Sequence, residues 1–223
     1  MLASKEHYLE SLCRDLEKVW PDNKTVTVVC HGHSCPAGYT ANHVTRPLDA
    51  YPHLIRQELS LRFPCSVVNV IVTAIGGEGA ISGARRFKRD VLGLRPRLVT
   101  LDYGLNDRFG ERVQVEAAWR QMIEEALEEA LEEEVKVVLV TPLPDCGRLY
   151  YDPEKLLFPA SEISEMIRNL AKEYGIGLAD AAGAFELKQR EGLRPGDILI
   201  SANHPNRRGH ELLSGEIMDW FPL

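Results

Sequence analysis

Apolar, β-branched residues gather in five short runs along the chain. Four are strong: Thr25–Cys30 (TVTVVC), Ser66–Val72 (SVVNVIV), Leu98–Tyr103 (LVTLDY) and Val135–Thr141 (VKVVLVT). A weaker one lies at Gly175–Asp180. Continuous runs of this length predict strands buried on both faces. Between them, apolar residues recur at helical spacing. Leu48, Tyr51, Leu54, Ile55 and Leu59 mark a helix over Leu48–Leu61. Val115, Trp119, Met122, Ala126 and Ala130 form a stripe over Val115–Leu131 whose other face is rich in Glu. Ile163–Tyr174 and Leu212–Trp220 carry further helical patterns.

Strand and helix alternate without a break, which predicts a parallel sheet covered by helices on both sides. No Pro/Gly/Ser-rich linker, repeat or low-complexity tract divides the chain. Residues 1–223 are therefore expected to form one α/β domain, with 1–22 as an N-terminal helical extension. Hydrophobic residues make up 44% of the 223, enough to bury a core without disulfides or metal.

The net charge of −7 argues against nucleic acid as the main partner, because phosphate binding needs a basic face. Arg85, Arg86, Lys88 and Arg89 sit close together and read as a solvated helix face. Five cysteines occur at irregular spacings without a Cys-x-x-Cys pair, which fits free thiols in a reducing cytoplasm. The N-terminus is too polar for a signal peptide, and no apolar run approaches a membrane span. Nothing in the sequence calls for a cofactor or a metal. His31-x-His33 has metal-ligand character, but a third ligand is not evident.

Open parallel sheets bind ligands beyond the carboxyl ends of their strands. The segments there are His31-Gly32-His33-Ser34, Ile75-Gly76-Gly77-Glu78, Gly104-Leu105-Asn106-Asp107 and Pro142-Leu143-Pro144-Asp145. Ser34 follows Gly32, which permits a tight turn; it reads as a nucleophile or as a helix N-cap. Pro36 stands where Gly-x-Ser-x-Gly would place its second glycine, which speaks against the nucleophile elbow of α/β-hydrolases. A serine nucleophile needs a base. His204, in Ser201-Ala202-Asn203-His204-Pro205-Asn206 just before the last helical pattern, reads as that base or as a surface-loop histidine. Gly77 and Asn106 are candidate oxyanion donors, or a turn glycine and an Asx-turn residue.

Taken in chain order, these blocks resemble the SGNH (GDSL-like) hydrolase superfamily. Gly32-His33-Ser34 resembles the usual Gly-Asp-Ser, and Gly104-Leu105-Asn106-Asp107 matches Gly-x-Asn-Asp fully. Ile75-Gly76-Gly77-Glu78 and His204-Pro205-Asn206 with Gly209-His210 resemble the remaining blocks. The resemblance implies a flavodoxin-like three-layer α/β/α sandwich with a central parallel sheet of about five strands. It implies Ser34 as nucleophile and His204 as base. The N–H groups of Ser34 and Gly77 and the Asn106 side chain would form the oxyanion hole.

Two positions depart from the pattern. His33 replaces the usual Asp before the nucleophile. Ser201 stands where the family has the triad Asp, three residues before the histidine. Ser201 and Asp197, the nearest acid upstream, are the candidates for the orienting residue. The expected activity is hydrolysis of a small-molecule carboxylic ester through an acyl-enzyme. A short acyl group is expected, because no apolar lid segment is evident, and the resemblance to a family that includes sugar deacetylases implies acetyl on a carbohydrate as one such substrate. A non-catalytic binding module on the same fold is the alternative. A dinucleotide-binding protein is disfavoured, because Gly-x-Gly-x-x-Gly does not follow the first strand.

Overall fold

Each of the five apolar runs becomes a strand of one sheet. The structure is a computed structural model and describes residues 1–128, 134–146 and 155–222. The strands are β1 (Thr25–Gly32), β2 (Val67–Val72), β3 (Leu98–Asp102), β4 (Lys136–Val140) and β5 (Gly177–Ala179). All pair in parallel, in the order β2-β1-β3-β4-β5. The expected sheet is therefore observed.

The helices are α1 (Glu10–Leu16), α2 (Tyr51–Arg62), α3 (Ala80–Asp90), α4 (Arg112–Glu128), α5 (Ala160–Tyr174), α6 (Ala181–Arg190), α7 (Pro195–Ile198) and α8 (Arg207–Met218). From β1 the chain crosses outward to β2, then returns past β1 to β3. Right-handed crossovers in opposite directions put their helices on opposite faces. Accordingly α2 packs with α8, and α3 packs with α4, giving the three-layer sandwich. The reversal of direction also makes the carboxyl end of β1 a topological switch point, where the loops diverge and leave a crevice. Ser34 lies two residues beyond that end.

The expectation of strands buried on both faces holds for β1, β3 and β4 but not for β2. As an edge strand, β2 leaves Val67 and Val72 exposed. Trp119, Trp220, Tyr51, Tyr103 and Phe87 are the largest fully buried side chains of the core. The N-terminal extension joins that core: Leu9, Leu12, Cys13 and Leu16 are buried in it, and the Tyr8 hydroxyl donates to the Val137 carbonyl at 2.9 Å. The stripe expected over Val115–Leu131 is α4 as far as Glu128; residues 129–131 lie outside the described part.

Asp107 braces the loop after β3. Its Oδ1 accepts the Ala80 N–H at 2.6 Å, at the start of α3, and its Oδ2 accepts the Trp119 Nε1–H of α4 at 2.9 Å. Burial raises its carboxyl above the ordinary range, partly offset by these donors. Asp107→Ala leaves two buried donors without an acceptor. Each such orphan costs about 1–3 kcal/mol, and losing a buried carboxyl group returns part of that. The variant is expected to lose roughly 2–4 kcal/mol of stability in urea unfolding, with an unchanged m-value.

Candidate active site

Four loops meet at the carboxyl edge of the sheet, and main-chain bonds lock them together. The Ile75 N–H donates to the Gly32 carbonyl at 3.1 Å, joining the loops after β1 and β2. The His33 N–H donates to the Asp102 carbonyl at 3.1 Å, joining the first loop to β3. Asn106 Nδ2 donates to the Glu78 carbonyl at 3.0 Å, joining the loops after β2 and β3. Gly32 is required by this closeness, since a Cβ there would stand 2.2 Å from the Asp102 carbonyl oxygen. Gly77 is required by its backbone, with φ at +80°.

Ser34 sits in the turn after β1, and no helix begins there. The N-cap reading therefore fails for lack of a helix to cap. Its Oγ lies 2.9 Å from His204 Nε2, although the two residues are 170 positions apart. The other ring nitrogen of His204, Nδ1, lies 3.1 Å from Ser201 Oγ. Ser34, Ser201 and His204 thus form one line of hydrogen-bonding groups. Half-buried, the His204 imidazole has its pKa lowered by desolvation, which favours the free base.

Asp197 does not join that line. Its carboxylate accepts the Arg194 N–H at 2.7 Å, and its carbonyl accepts Asn206 Nδ2–H at 3.0 Å. A carboxylate at the first turn of α7 is held by that helix end rather than by the imidazole. Of the two candidate orienting residues, Ser201 is the one at the histidine.

The N–H groups of Ser34 and Gly77 have no acceptor among the described residues. Asn106 uses one Nδ2 hydrogen on Glu78, which fixes the amide and leaves its second hydrogen available. No Asx-turn bond is formed by its side chain. Glu78 is held in turn. Its carboxylate accepts the Tyr103 hydroxyl at 3.0 Å and pairs with Arg86. Arg86 therefore leaves the solvated face expected for the Arg85–Arg89 cluster and lies under the Gly77 loop. Arg85, Lys88 and Arg89 remain exposed.

His31 and His33 serve different partners. His31 Nδ1 lies 2.9 Å from Thr73 Oγ1, and its Nε2 lies 3.0 Å from the Tyr103 hydroxyl. His33 Nδ1 lies 3.3 Å from Ser34 Oγ, and its Nε2 lies 3.5 Å from Asp102 Oδ1. Burial pushes the His33 imidazole down to about 3, with the neighbouring His204 acting in the same direction. Burial pushes the Asp102 carboxyl up to about 7, against hydrogen bonds from Tyr51 and Cys35. Neither Asp102 nor Tyr39 stood out in the sequence. The Tyr39 ring covers Gly76, where a Cβ would stand 3.0 Å from it, and lies beside the His204 ring at 6.4 Å between centroids. It forms a wall of the site.

Four such blocks on such a sheet are the arrangement of the SGNH hydrolases. The chain belongs to the GDSL-like Lipase/Acylhydrolase family, whose sequence pattern matches residues 30–212. It is an ester-hydrolysing enzyme. Solved structures with the same fold include LAE5, described as an alpha/beta hydrolase enzyme from the metagenome of Lake Arreo, Spain. That similarity has 20% identity over 87% of this chain and 94% of that one, with a TM-score of 0.69. Axe2, an acetylxylan esterase from Geobacillus stearothermophilus, is 18% identical over 87% of this chain and 93% of its own, with a TM-score of 0.70. A two-domain esterase (CEX) active on acetylated mannans is 17% identical over 98% of this chain and 53% of that one, with a TM-score of 0.73. No curated protein sequence matches the chain. None of the described helices is long and apolar enough to cross a membrane.

Proposed function

We propose that the enzyme hydrolyses short-acyl carboxylic esters, acetyl on a carbohydrate above all, through an acyl-enzyme on Ser34. The observation that carries this reading is the 2.9 Å contact between Ser34 Oγ and His204 Nε2. With a proton on Nδ1 directed at Ser201, the Nε2 lone pair faces the serine hydroxyl. His204 takes the Ser34 proton as Oγ attacks the ester carbonyl, then gives it to the departing alcohol. Water, deprotonated by the same imidazole, releases the acid. The Ser34 N–H, the Gly77 N–H and the second Asn106 Nδ2 hydrogen receive the tetrahedral oxyanion. The acetyl preference is supported by Axe2 and CEX, both named for acetylated polysaccharides.

Turnover of acetyl, butyryl and longer p-nitrophenyl esters tests the acyl preference, and release of acetate from acetylated xylo- and manno-oligosaccharides tests the alcohol. Faster turnover of long-chain than of acetyl esters would overturn the short-acyl assignment. Asn106→Ala is expected to lower kcat by roughly 10²–10³, the usual cost of one oxyanion donor. KM should change little, because the contact strengthens only in the transition state. A loss confined to KM would make Asn106 a substrate-binding residue instead.

A further inference from the structure

The proposed mechanism leaves two enclosed groups behind the nucleophile unused. His33 and Asp102 have side chains only 3% and 2% exposed, and both are ionisable. Such groups are seldom buried without a purpose or a partner. The His33 ring touches Ser34 Oγ through Nδ1 at 3.3 Å and faces Asp102 Oδ1 through Nε2 at 3.5 Å.

The tautomer follows from one further bond. The Cys35 N–H donates to His33 Nδ1 at 3.2 Å. A ring nitrogen that accepts from a main-chain N–H carries no proton, so the proton of the neutral ring is on Nε2. Neither Nε2 nor the second Asp102 oxygen, Oδ2, has a hydrogen-bond partner among the described residues, and the two side chains face each other with Nε2 3.5 Å from Oδ1. A cavity of about 10 Å³ borders both side chains, so one water at most fits beside them. The single Ser34 hydroxyl proton is directed at His204 Nε2 at 2.9 Å, while His33 Nδ1, already accepting from Cys35, touches Oγ at 3.3 Å and limits where that oxygen can stand.

The two imidazoles differ in role. His33 is buried and stays neutral, and a positive His204 nearby disfavours its protonation further. It does not compete for the serine proton. Substitution at residue 33 and at residue 102 is linked by the same geometry. A carboxylate at residue 33, as in the usual family pattern, would stand against the Asp102 carboxyl with no cation between them.

We propose that His33 and Asp102 form a buried acid–imidazole pair that positions the Ser34 hydroxyl. The inference rests on Ser34 being the nucleophile. His33 contacts the reacting oxygen, and Asp102 is a positioning residue that acts through it. The Ser34 proton still passes to His204 Nε2. His33 keeps its Nε2 proton throughout and neither gains nor loses one.

The test compares wild type with Asp102→Asn, His33→Asn and the double variant. The readouts are p-nitrophenyl acetate kinetics and the rate of Ser34 labelling by a fluorophosphonate. Asp102→Asn is expected to lower kcat roughly 10–10²-fold, as misplacing a reacting group does, with KM within about twofold. Labelling should slow in proportion, and the double variant should be no worse than the poorer single one, because the residues act as a unit. A purely structural role would change stability without moving kcat. Asp102→Asn that folds and labels at the wild-type rate would overturn the pair, as would losses that multiply in the double variant. If the variants do not fold, ¹⁵N NMR of the unaltered enzyme decides. A His33 proton on Nε2 at neutral pH supports the pair, and a proton on Nδ1 overturns it. Failure of the wild type to label at all would strike at Ser34 itself, which separates the two readings.

Discussion

Ser34→Ala is expected to leave the enzyme folded and without measurable ester hydrolysis. The hydroxyl is half-buried and bonds only within the site, to His204 Nε2 and toward His33 Nδ1, so its removal disturbs no core packing. The turn that carries it is held by main-chain bonds that alanine keeps, including the Tyr39 N–H to the Ser34 carbonyl at 3.0 Å. Chemistry suffers instead. Without Oγ there is no acyl-enzyme, and the remaining imidazole has only water to activate. Knocking out the nucleophile in a serine hydrolase costs about 10⁶ in kcat, leaving what the oxyanion donors and binding alone supply. Circular dichroism and thermal unfolding should match wild type while fluorophosphonate labelling disappears. Undiminished turnover in the purified variant would remove Ser34 from the mechanism.

The sheet was legible because burial on two faces leaves a local mark: β1, β3 and β4 are continuous apolar runs. The edge position of β2 was not legible, since strand order depends on which way each crossover runs. α6 escaped a helical reading, and α3 showed only its charged Arg85–Arg89 face, for another reason. Their buried positions are mostly small, with Ala80, Gly83 and Ala84 in one and Ala181 in the other, joined by a single phenylalanine each. A charged sequence such as Arg85–Arg89 then dominates the pattern. At the candidate site, Ser34, Gly77, Asn106 and His204 could be picked out as candidates because each follows a strand or precedes the last helix. Asp102 was not, because it closes an apolar run and reads as the last residue of a strand. Only the fold brings it to His33. Asp197 illustrates the converse: nearness in sequence to His204 made it a candidate acid, while the structure places its carboxylate on the Arg194 N–H at the turn of α7.

The largest contrast is expected between the two residues on the Ser34–His204–Ser201 line. His204→Ala removes the proposed proton acceptor, and no neighbouring group replaces it: His33 is held neutral by burial and Asp197 is bonded to the Arg194 N–H. The loss in kcat should be roughly 10³–10⁶-fold, in the range seen when a catalytic base is deleted. Ser201→Ala removes far less. A triad carboxylate both orients the imidazole and stabilises the imidazolium through its charge. A neutral hydroxyl 3.1 Å from Nδ1 supplies orientation alone. The surrounding main chain preserves much of that orientation, because the Ile200 N–H to His204 carbonyl bond at 2.9 Å and the Asn206 N–H to Ile198 carbonyl bond at 2.8 Å pin the loop. Ser201→Ala should therefore cost tenfold or less, about 1.4 kcal/mol of barrier. Asp197→Asn serves as the control. It should leave kcat/KM near wild type and lower stability by roughly 1 kcal/mol, the ordinary cost of weakening a helix cap. Steady-state kinetics on the three purified variants, with unfolding curves for each, decide the matter. If Asp197→Asn fell as far as His204→Ala while remaining folded, the Ser34–His204 pair would have a displaced acid in solution, and the neutral Ser201 contact would not be the working arrangement.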